Sequence, residues 1–310
     1  MKIAILGATS QIAKDLIESF AQKTDYECTL FARKPDVVIE WLKKVNIQQP
    51  YQALGYSDFN SDDHYDVIIN FVGVGNPAQA QEMGSQIFDV TYQYDMMALD
   101  YLKVHPKTKY IFLSSGAVYG GNFEQPVTNE SVAMIPINNL KSTGWYTIAK
   151  LYAEARHRAL PELSIIDIRV FNYFSHTQDM NARYFITDMV RALKNNEVFK
   201  TSADNIVRDY ITPPDFFNLI QSILKSSSQN TAVDCYTKSP VDKFSLIKEI
   251  QNTFGLQYKI VESINTVNAT GIKYNYYSTY ITANNILYVP EKTSIEGIVE
   301  QIKLINSTYT

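Results

Sequence analysis

The chain has 310 residues, 45% of them hydrophobic, and a formal net charge of −4. That composition supplies apolar surface for one large or two modest cores. It offers no basic field for nucleic acid, and no apolar run nears the ~18 residues that would span a bilayer. No basic-then-apolar leader precedes the first apolar segment, so the expectation is a cytoplasmic globular protein without nucleic-acid or membrane partners.

In chain order, Lys2–Leu6 is short, apolar and β-prone. The turn Gly7-Ala8-Thr9-Ser10-Gln11-Ile12-Ala13 follows, and Ile12, Leu16, Ile17 and Phe20 then recur at helical spacing, predicting a helix over Gln11–Gln22. A strand, tight turn and helix in this order aim backbone N–H groups and the positive end of the helix dipole at one point, which suits a pyrophosphate. Gly7, Thr9, Ser10, Gln11 and Ile12 are its candidate contacts. Gly7 is the one glycine among the three small-residue positions of this turn, the later two being Ser10 and Ala13.

A second strand, Cys28–Phe31, ends in Ala32-Arg33-Lys34. An acid at such a strand end binds the adenosine ribose of NAD, whereas a basic residue can hold the 2′-phosphate of NADP. Ala32 removes the acid and Arg33 supplies the charge, so NADP (as NADPH) is favoured and NAD remains possible. A helix over Asp36–Val45 comes next, then a strand over Val67–Phe71. That strand leads into a small-residue turn where Phe71, Val72 and Gly73 can lie close to a cofactor.

After a helical segment over Gln79–Val104, the strand Tyr110–Leu113 runs into Ser114-Ser115-Gly116-Ala117-Val118-Tyr119-Gly120. A helix over Tyr146–Ala159 then opens with Tyr146 and Lys150, an i, i+4 pair on one face. A phenol titrating near 10 is a poor acid–base at neutral pH, but an ammonium and a positive nicotinamide ring would lower it. Tyr146 could then exchange a proton while the cofactor exchanges a hydride. The strand Ile165–Val170 completes the first half. Strands alternating with helices predict an α/β fold, a Rossmann-type doubly wound parallel sheet with ligands beyond the carboxyl ends of its strands.

The expected division is a dinucleotide-binding domain over 1–172, with the chain returning to it near 206–240, and a smaller C-terminal α/β region over 173–310. In that region helices are expected at Asn181–Asn195, from Pro213, at Phe244–Phe254 and at Ile295–Leu304. The two cysteines, Cys28 and Cys235, read as buried free thiols rather than a disulfide. The four histidines, His64, His105, His157 and His176, lack metal-ligand spacing, so no metal site is expected.

Taken together these residues resemble the extended branch of the short-chain dehydrogenase/reductase superfamily, the nucleotide-sugar epimerase, dehydratase and reductase group. The likeness runs over nearly the whole chain, through Gly7–Ala13, Ser114–Gly120, Tyr146–Lys150, Arg169–Asn172 and Arg208–Ile211. It implies that Ser115 assists Tyr146, that Ser114 lies nearer the nicotinamide, and that Lys150 also holds the nicotinamide ribose. It places Asn172 at the sugar end and Arg208 at the nucleotide diphosphate, with the C-terminal region as the sugar-nucleotide lid. It also implies a homodimer built on Gln79–Val104 and the Tyr146 helix. Phe88, Tyr92, Met96 and Leu99 would form that seam or equally pack on the sheet.

Departures from the family pattern narrow the expected reaction. Gly116 and Ala117 stand where 4,6-dehydratases carry an Asp-Glu pair. Ala117 also replaces the cysteine of GDP-fucose-type epimerase-reductases, although His176 lies near the place of their histidine. Where family members carry an arginine by an RPGD sequence, this chain has Gly271–Tyr277, with Lys273 as the candidate cation and Tyr276 and Tyr277 open to stacking or packing. The resulting expectation is an NAD(P)H-dependent reductase of a keto or aldehyde group on a nucleotide-activated sugar, with Tyr146 as general acid beside Ser115 and Lys150. The alternative is a nucleotide-sugar 4-epimerase with retained NAD; a third is a non-catalytic cofactor-sensing protein.

Overall fold

The computed structural model describes residues 1–74, 82–121, 123–262 and 273–307. Six strands of the first half are β1 (Lys2–Leu6), β2 (Glu27–Phe31), β3 (Gln52–Leu54), β4 (Val67–Asn70), β5 (Lys109–Ser115) and β6 (Ile165–Val170). They form a parallel sheet with a later strand, β11 (Thr231–Asp234), in the order β11-β6-β5-β4-β1-β2-β3. The chain reverses its direction of winding between β1 and β4. The carboxyl ends of strands flanking such a switch point form the crevice in which ligands of doubly wound sheets bind.

Strand side chains alternate between faces, and helices cover both faces here, so the central strands are mainly apolar on both sides. Ile3 and Ile5 point to one side, packing with Leu16, Ile17 and Phe20 of α1 (Gln11–Lys23) and with Phe216 and Ile220 of α6 (Pro213–Lys225). Ala4, Leu6, Tyr110 and Phe112 point to the other, against Ala98, Leu99 and Leu102 of α3 (Gln86–Val104) and Ala153 of α4 (Trp145–Arg158). Each fully buried Ile, Leu or Phe contributes ~1.5–3 kcal/mol. Between β2 and β3 lies α2 (Pro35–Lys44), which Pro35 opens at a position where its missing N–H costs nothing.

A separate cluster holds the C-terminal elements: Ile186, Met189 and Val190 of α5 (Phe185–Lys194), Leu246, Ile247 and Ile250 of α7 (Lys243–Phe254), and Ile298 and Ile302 of α8 (Ser294–Ser307). Between these helices run short strands: β7 (Asn172–Tyr173), β8 (Phe199–Thr201), β9 (Val207–Arg208), β10 (Tyr210–Ile211), β12 (Val241–Asp242), β13 (Tyr258–Ile260) and β14 (Asn275–Tyr276). β14 and β12 flank β9, and β10 pairs with β7.

Several boundaries differ from expectation. α5 starts four residues late because Asp179 accepts from the Asn181 amide, holding a turn there, and Thr187 then caps Tyr184. The helix expected from Gln79 is described only from residue 82, and its first positions lie outside the described residues. Of the candidate dimer seam, Leu99 and Met96 pack on the sheet, Phe88 is half-buried near Trp145, and Tyr92 is exposed. Cys28 and Cys235 are buried free thiols. Among the described residues no helix is long and apolar enough to cross a membrane.

Candidate active site

The β1–α1 turn is shaped by Gly7, whose φ is +82°. A Cβ there would also stand 2.9 Å from Phe71 C and Val72 N, so two independent constraints demand glycine. Its amide is fixed on Phe31 O at 3.0 Å, which ties this turn to the end of β2. Ser10 caps α1, accepting from Ala13 N at 3.4 Å, and the Gln11 side-chain amide nitrogen is buried without a partner. An orphaned donor at a helix N-terminus beside a close-packed glycine fits the pyrophosphate of a dinucleotide. Thr9 is exposed on the same turn, with Ile12 half-buried behind it.

At the end of β2, Ala32 is buried while Arg33 and Lys34 are exposed. Arg33 acts electrostatically on Tyr56, whose hydroxyl lies beside the Gly7 backbone, so Arg33 stands on the same rim as the phosphate turn. The β4 turn closes the gap to the catalytic helix. Val72 N donates to Asn70 Oδ1 at 2.9 Å, and a Cβ on Gly73 would come 3.4 Å from Lys150 Nζ. Phe71, Val72 and Gly73 therefore join the Gly7 turn to Lys150.

Ser115 ends β5 and caps a short 3-10 turn, its Oγ accepting from Ala117 N at 3.2 Å. The Tyr146 phenol faces this hydroxyl; burial raises the phenol above its ordinary value and the Ser115 hydroxyl opposes that rise. Lys150, 3% exposed, donates to Leu113 O at 2.7 Å and lies 4.3 Å over the Phe112 ring. Burial pulls its ammonium down to about 8, against the carboxylates of Asp95, Asp167 and Glu154. The lowering of Tyr146 by Lys150 expected above is thus not produced by the protein's own residues, because Nζ is turned to a backbone carbonyl.

One turn beyond Lys150, Glu154 accepts from Ser114 Oγ at 2.5 Å and from Arg169, whose Nη2 is 2.6 Å away. With its proton given to Glu154, Ser114 can only accept from a ligand. Arg169 also donates to Tyr119, which donates to Asp234. A further turn along α4, His157 is fully buried between Asp167 at 2.7 Å and Asp95 at 2.8 Å. Those two carboxylates raise it to about 9 against the pull of burial. Tyr110, Arg156 and Arg158 complete their bonds, so one helix face carries Tyr146, Lys150, Glu154 and His157 down into the sheet. Sequence reasoning missed Glu154, although its place four residues after Lys150 was a usable signal.

The C-terminal side contributes Asn172, Arg208, Lys273 and Tyr276. Asn172 Nδ2 donates to Asp209 O at 3.1 Å and Tyr276 O at 3.2 Å, so its amide clamps backbone. Lys273 Nζ lies 4.1 Å and Arg208 Cζ 5.8 Å from the Tyr276 ring centre. Burial and the Arg208 charge pull Lys273 down to about 8. Among the described residues neither cation has a carboxylate within ion-pair distance. The hydroxyl of Tyr276 reaches Ser115 Oγ at 3.3 Å. His176 is not brought to this group: Gln301 of α8 accepts from its backbone N and bonds its Nδ1, each at 2.9 Å, and it acts electrostatically on Asp15 and Glu18 of α1. No metal-binding cluster exists among the described residues.

A parallel doubly wound sheet with a phosphate turn at the switch point and a Ser, Tyr and Lys set beside it defines a Rossmann-type oxidoreductase. Residues 3–235 match the sequence profile of the NAD dependent epimerase/dehydratase family, and the chain belongs to that family. It is an enzyme of the extended short-chain dehydrogenase/reductase type. No curated protein matches the chain. Among solved structures it is similar to a UDP-glucose 4-epimerase from Thermotoga maritima, determined with UDP-glucose, at 16% identity, 100% coverage of both chains and a TM-score of 0.80. A dTDP-glucose 4,6-dehydratase from Bacillus anthracis in complex with NAD is 16% identical, covering 99% of this chain and 97% of that one, with a TM-score of 0.78. A UDP-N-acetylglucosamine 4-epimerase from Methanobrevibacter ruminantium, in complex with UDP-N-acetylmuramic acid, is 17% identical over 99% and 98% of the chains, with a TM-score of 0.78. At these identities the likeness is one of fold.

Proposed function

We propose that the enzyme reduces a keto or aldehyde carbon of a nucleotide-activated sugar with NADPH, or with NADH. The observation that carries this reading is the gathering of Ser115, Tyr146 and Lys150 beside Gly73, where the reacting groups are hydroxyls rather than a carboxylate pair. The Phe171 ring fills the space next to Gly116, so the acid of a water-eliminating enzyme has no room there.

When bound, the dinucleotide supplies the hydride. Tyr146 gives its proton to the oxygen of the carbon being reduced, and Ser115 hydrogen-bonds the same oxygen, so developing negative charge meets protein donors. The phenolate left behind then regains a proton from solvent. Gly7, Ser10, Gln11 and Ile12 hold the pyrophosphate, and Lys150 holds the nicotinamide ribose. Ser114, with its own proton given to Glu154, would be an acceptor at the nicotinamide end. Arg208 and Lys273, charged and without acidic partners among the described residues, support binding of the substrate diphosphate. Residues 1–172 with the return near 206–240 then serve the dinucleotide, and 173–310 serve the sugar nucleotide. Ala32 and the exposed Arg33 favour the 2′-phosphate of NADP. A homodimer through α3 and α4 is supported by exposed Tyr92 and Tyr152, on both of which Arg156 stacks.

The second reading, a 4-epimerase that retains NAD, is favoured by the full-length likeness to 4-epimerases. Denaturing the purified protein and identifying released dinucleotide by mass spectrometry separates the two. Exchangeable binding that prefers NADPH supports the reductase, and stoichiometric retained NAD refutes it in favour of the epimerase. In either case Tyr146→Phe should remove most turnover and leave cofactor binding nearly intact; unchanged turnover would refute the proton-transfer role.

A further inference from the structure

We propose that Tyr276 is a positioning residue whose phenol donates to Ser115 and thereby turns the single Ser115 proton towards Tyr146. A hydroxyl has one proton to donate and two lone pairs to accept with. The Ala117 amide occupies one lone pair of Ser115 Oγ at 3.2 Å. Tyr276 Oη stands 3.3 Å away, and the Tyr146 phenol is the remaining neighbour.

The direction of this chain follows from what surrounds Tyr276. Among the described residues Ser115 is the hydrogen-bond partner of its oxygen, at 3.3 Å; the Ala117 amide also faces that oxygen, Arg208 and Lys273 lie over its ring, and Tyr146 acts on it through charge alone. Burial raises the Tyr276 phenol well above its ordinary range and keeps its proton in place. That proton therefore goes to Ser115, both Ser115 lone pairs are filled, and in the substrate-free enzyme the Ser115 proton is left for Tyr146; when substrate binds, this same proton is the one Ser115 offers to the substrate oxygen. A phenolate at Tyr146 would receive it as a charge-assisted hydrogen bond, which favours the ionised form. The backbone keeps the arrangement stiff. Asn172 holds the Tyr276 carbonyl, Phe123 meets the ring edge-on at 4.7 Å, and β14 pairs with β9. The Asn172 amide at the expected sugar end thus serves the residue that aligns the serine.

This inference rests on Tyr146 being the proton carrier, but on no particular sugar. Its test needs no substrate. Protein labelled with 3-fluorotyrosine is titrated by 19F NMR in the presence of NAD+, with the residue-146 signal identified by its loss in Tyr146→Phe. Lys150 and the Arg208–Lys273 pair face the same region and are unchanged in the variants compared. Tyr276→Phe keeps the ring packing and removes the hydroxyl. The titration of residue 146 should rise by about one pH unit, a tenfold change in proton affinity. Ser115→Ala should raise it at least as much, and Tyr276→Phe should add nothing in the Ser115→Ala background. In the unsubstituted enzyme, ionisation of residue 146 should also shift the residue-276 signal, a response that Ser115→Ala abolishes; this readout stands even if Tyr276→Phe fails to fold. An unchanged titration in Tyr276→Phe, or an equal rise with and without Ser115, overturns the proposal. Failure to turn over any sugar nucleotide would refute the reductase reading and leave this titration intact.

Discussion

Replacing His157 with Gln tests whether the buried charge cluster beneath the catalytic helix stabilises the protein, and the size of the effect follows from its titration. The two flanking carboxylates raise the imidazole from 6.5 to about 9. At about 1.4 kcal/mol per tenfold change in proton affinity, this is ~3 kcal/mol of stability. A raised pKa means the folded state binds the proton more tightly. The contribution is therefore complete below pH 6.5 and is lost as pH rises through about 9. Lys150 and Lys273, each lowered to about 8, have the opposite sign and favour folding as pH rises beyond that value, so the wild-type curve alone is not diagnostic. Urea unfolding should be followed for both proteins from pH 6 to 9.5. His157→Gln should be ~3–5 kcal/mol less stable near pH 6, because Asp95 and Asp167 are left buried without the shared cation. The gap should narrow by a few kcal/mol towards pH 9.5. A gap that does not change with pH would refute the assignment of a buried imidazolium at His157.

Gly7→Ala should destabilise by ~2–4 kcal/mol, from a left-handed backbone and a Cβ at 2.9 Å from two backbone atoms, and should abolish dinucleotide binding by calorimetry. Gly116→Ala drives a methyl into the Phe171 ring, and a loss of ~1–3 kcal/mol in urea unfolding is expected; Phe171→Leu in the same chain should recover most of it. Arg33→Ala should weaken NADP binding well beyond its effect on NAD, and an equal effect on both would remove the case for a 2′-phosphate contact. Nucleoside diphosphate binding should weaken as pH rises through about 8, where Lys273 loses its proton, and Lys273→Gln should flatten that part of the profile.

What could be read from the chain was local. The β1–α1 turn is encoded by contiguous residues, and Tyr146 and Lys150 are one helical turn apart, so their shared face follows from helix geometry alone. The alternation of apolar runs sufficed for the parallel sheet. β3 escaped notice because Gln52–Leu54 is a three-residue edge strand, too short for a strand pattern to show. The Asp95, His157 and Asp167 cluster was unreadable because its members come from α3, α4 and β6, whose alignment only the packed sheet creates. His176 misled through its nearness to Asn172 in sequence. β7 pairs with β10 immediately after Asn172, and the following turn carries His176 to Gln301 on α8. Tyr276 stayed ambiguous among neighbouring tyrosines until β14 aligned beside β9.

The contact between Ser115 and Tyr276 joins positions 161 residues apart. Domains emerge from the ribosome from the N-terminus, at roughly 5–20 residues per second. Ser115, Tyr146 and Lys150 are therefore synthesised on the order of ten seconds before Tyr276. A nascent chain can have all seven strands of its central sheet synthesised while the residue facing its serine is still unmade, so the finished active site is a late product of translation.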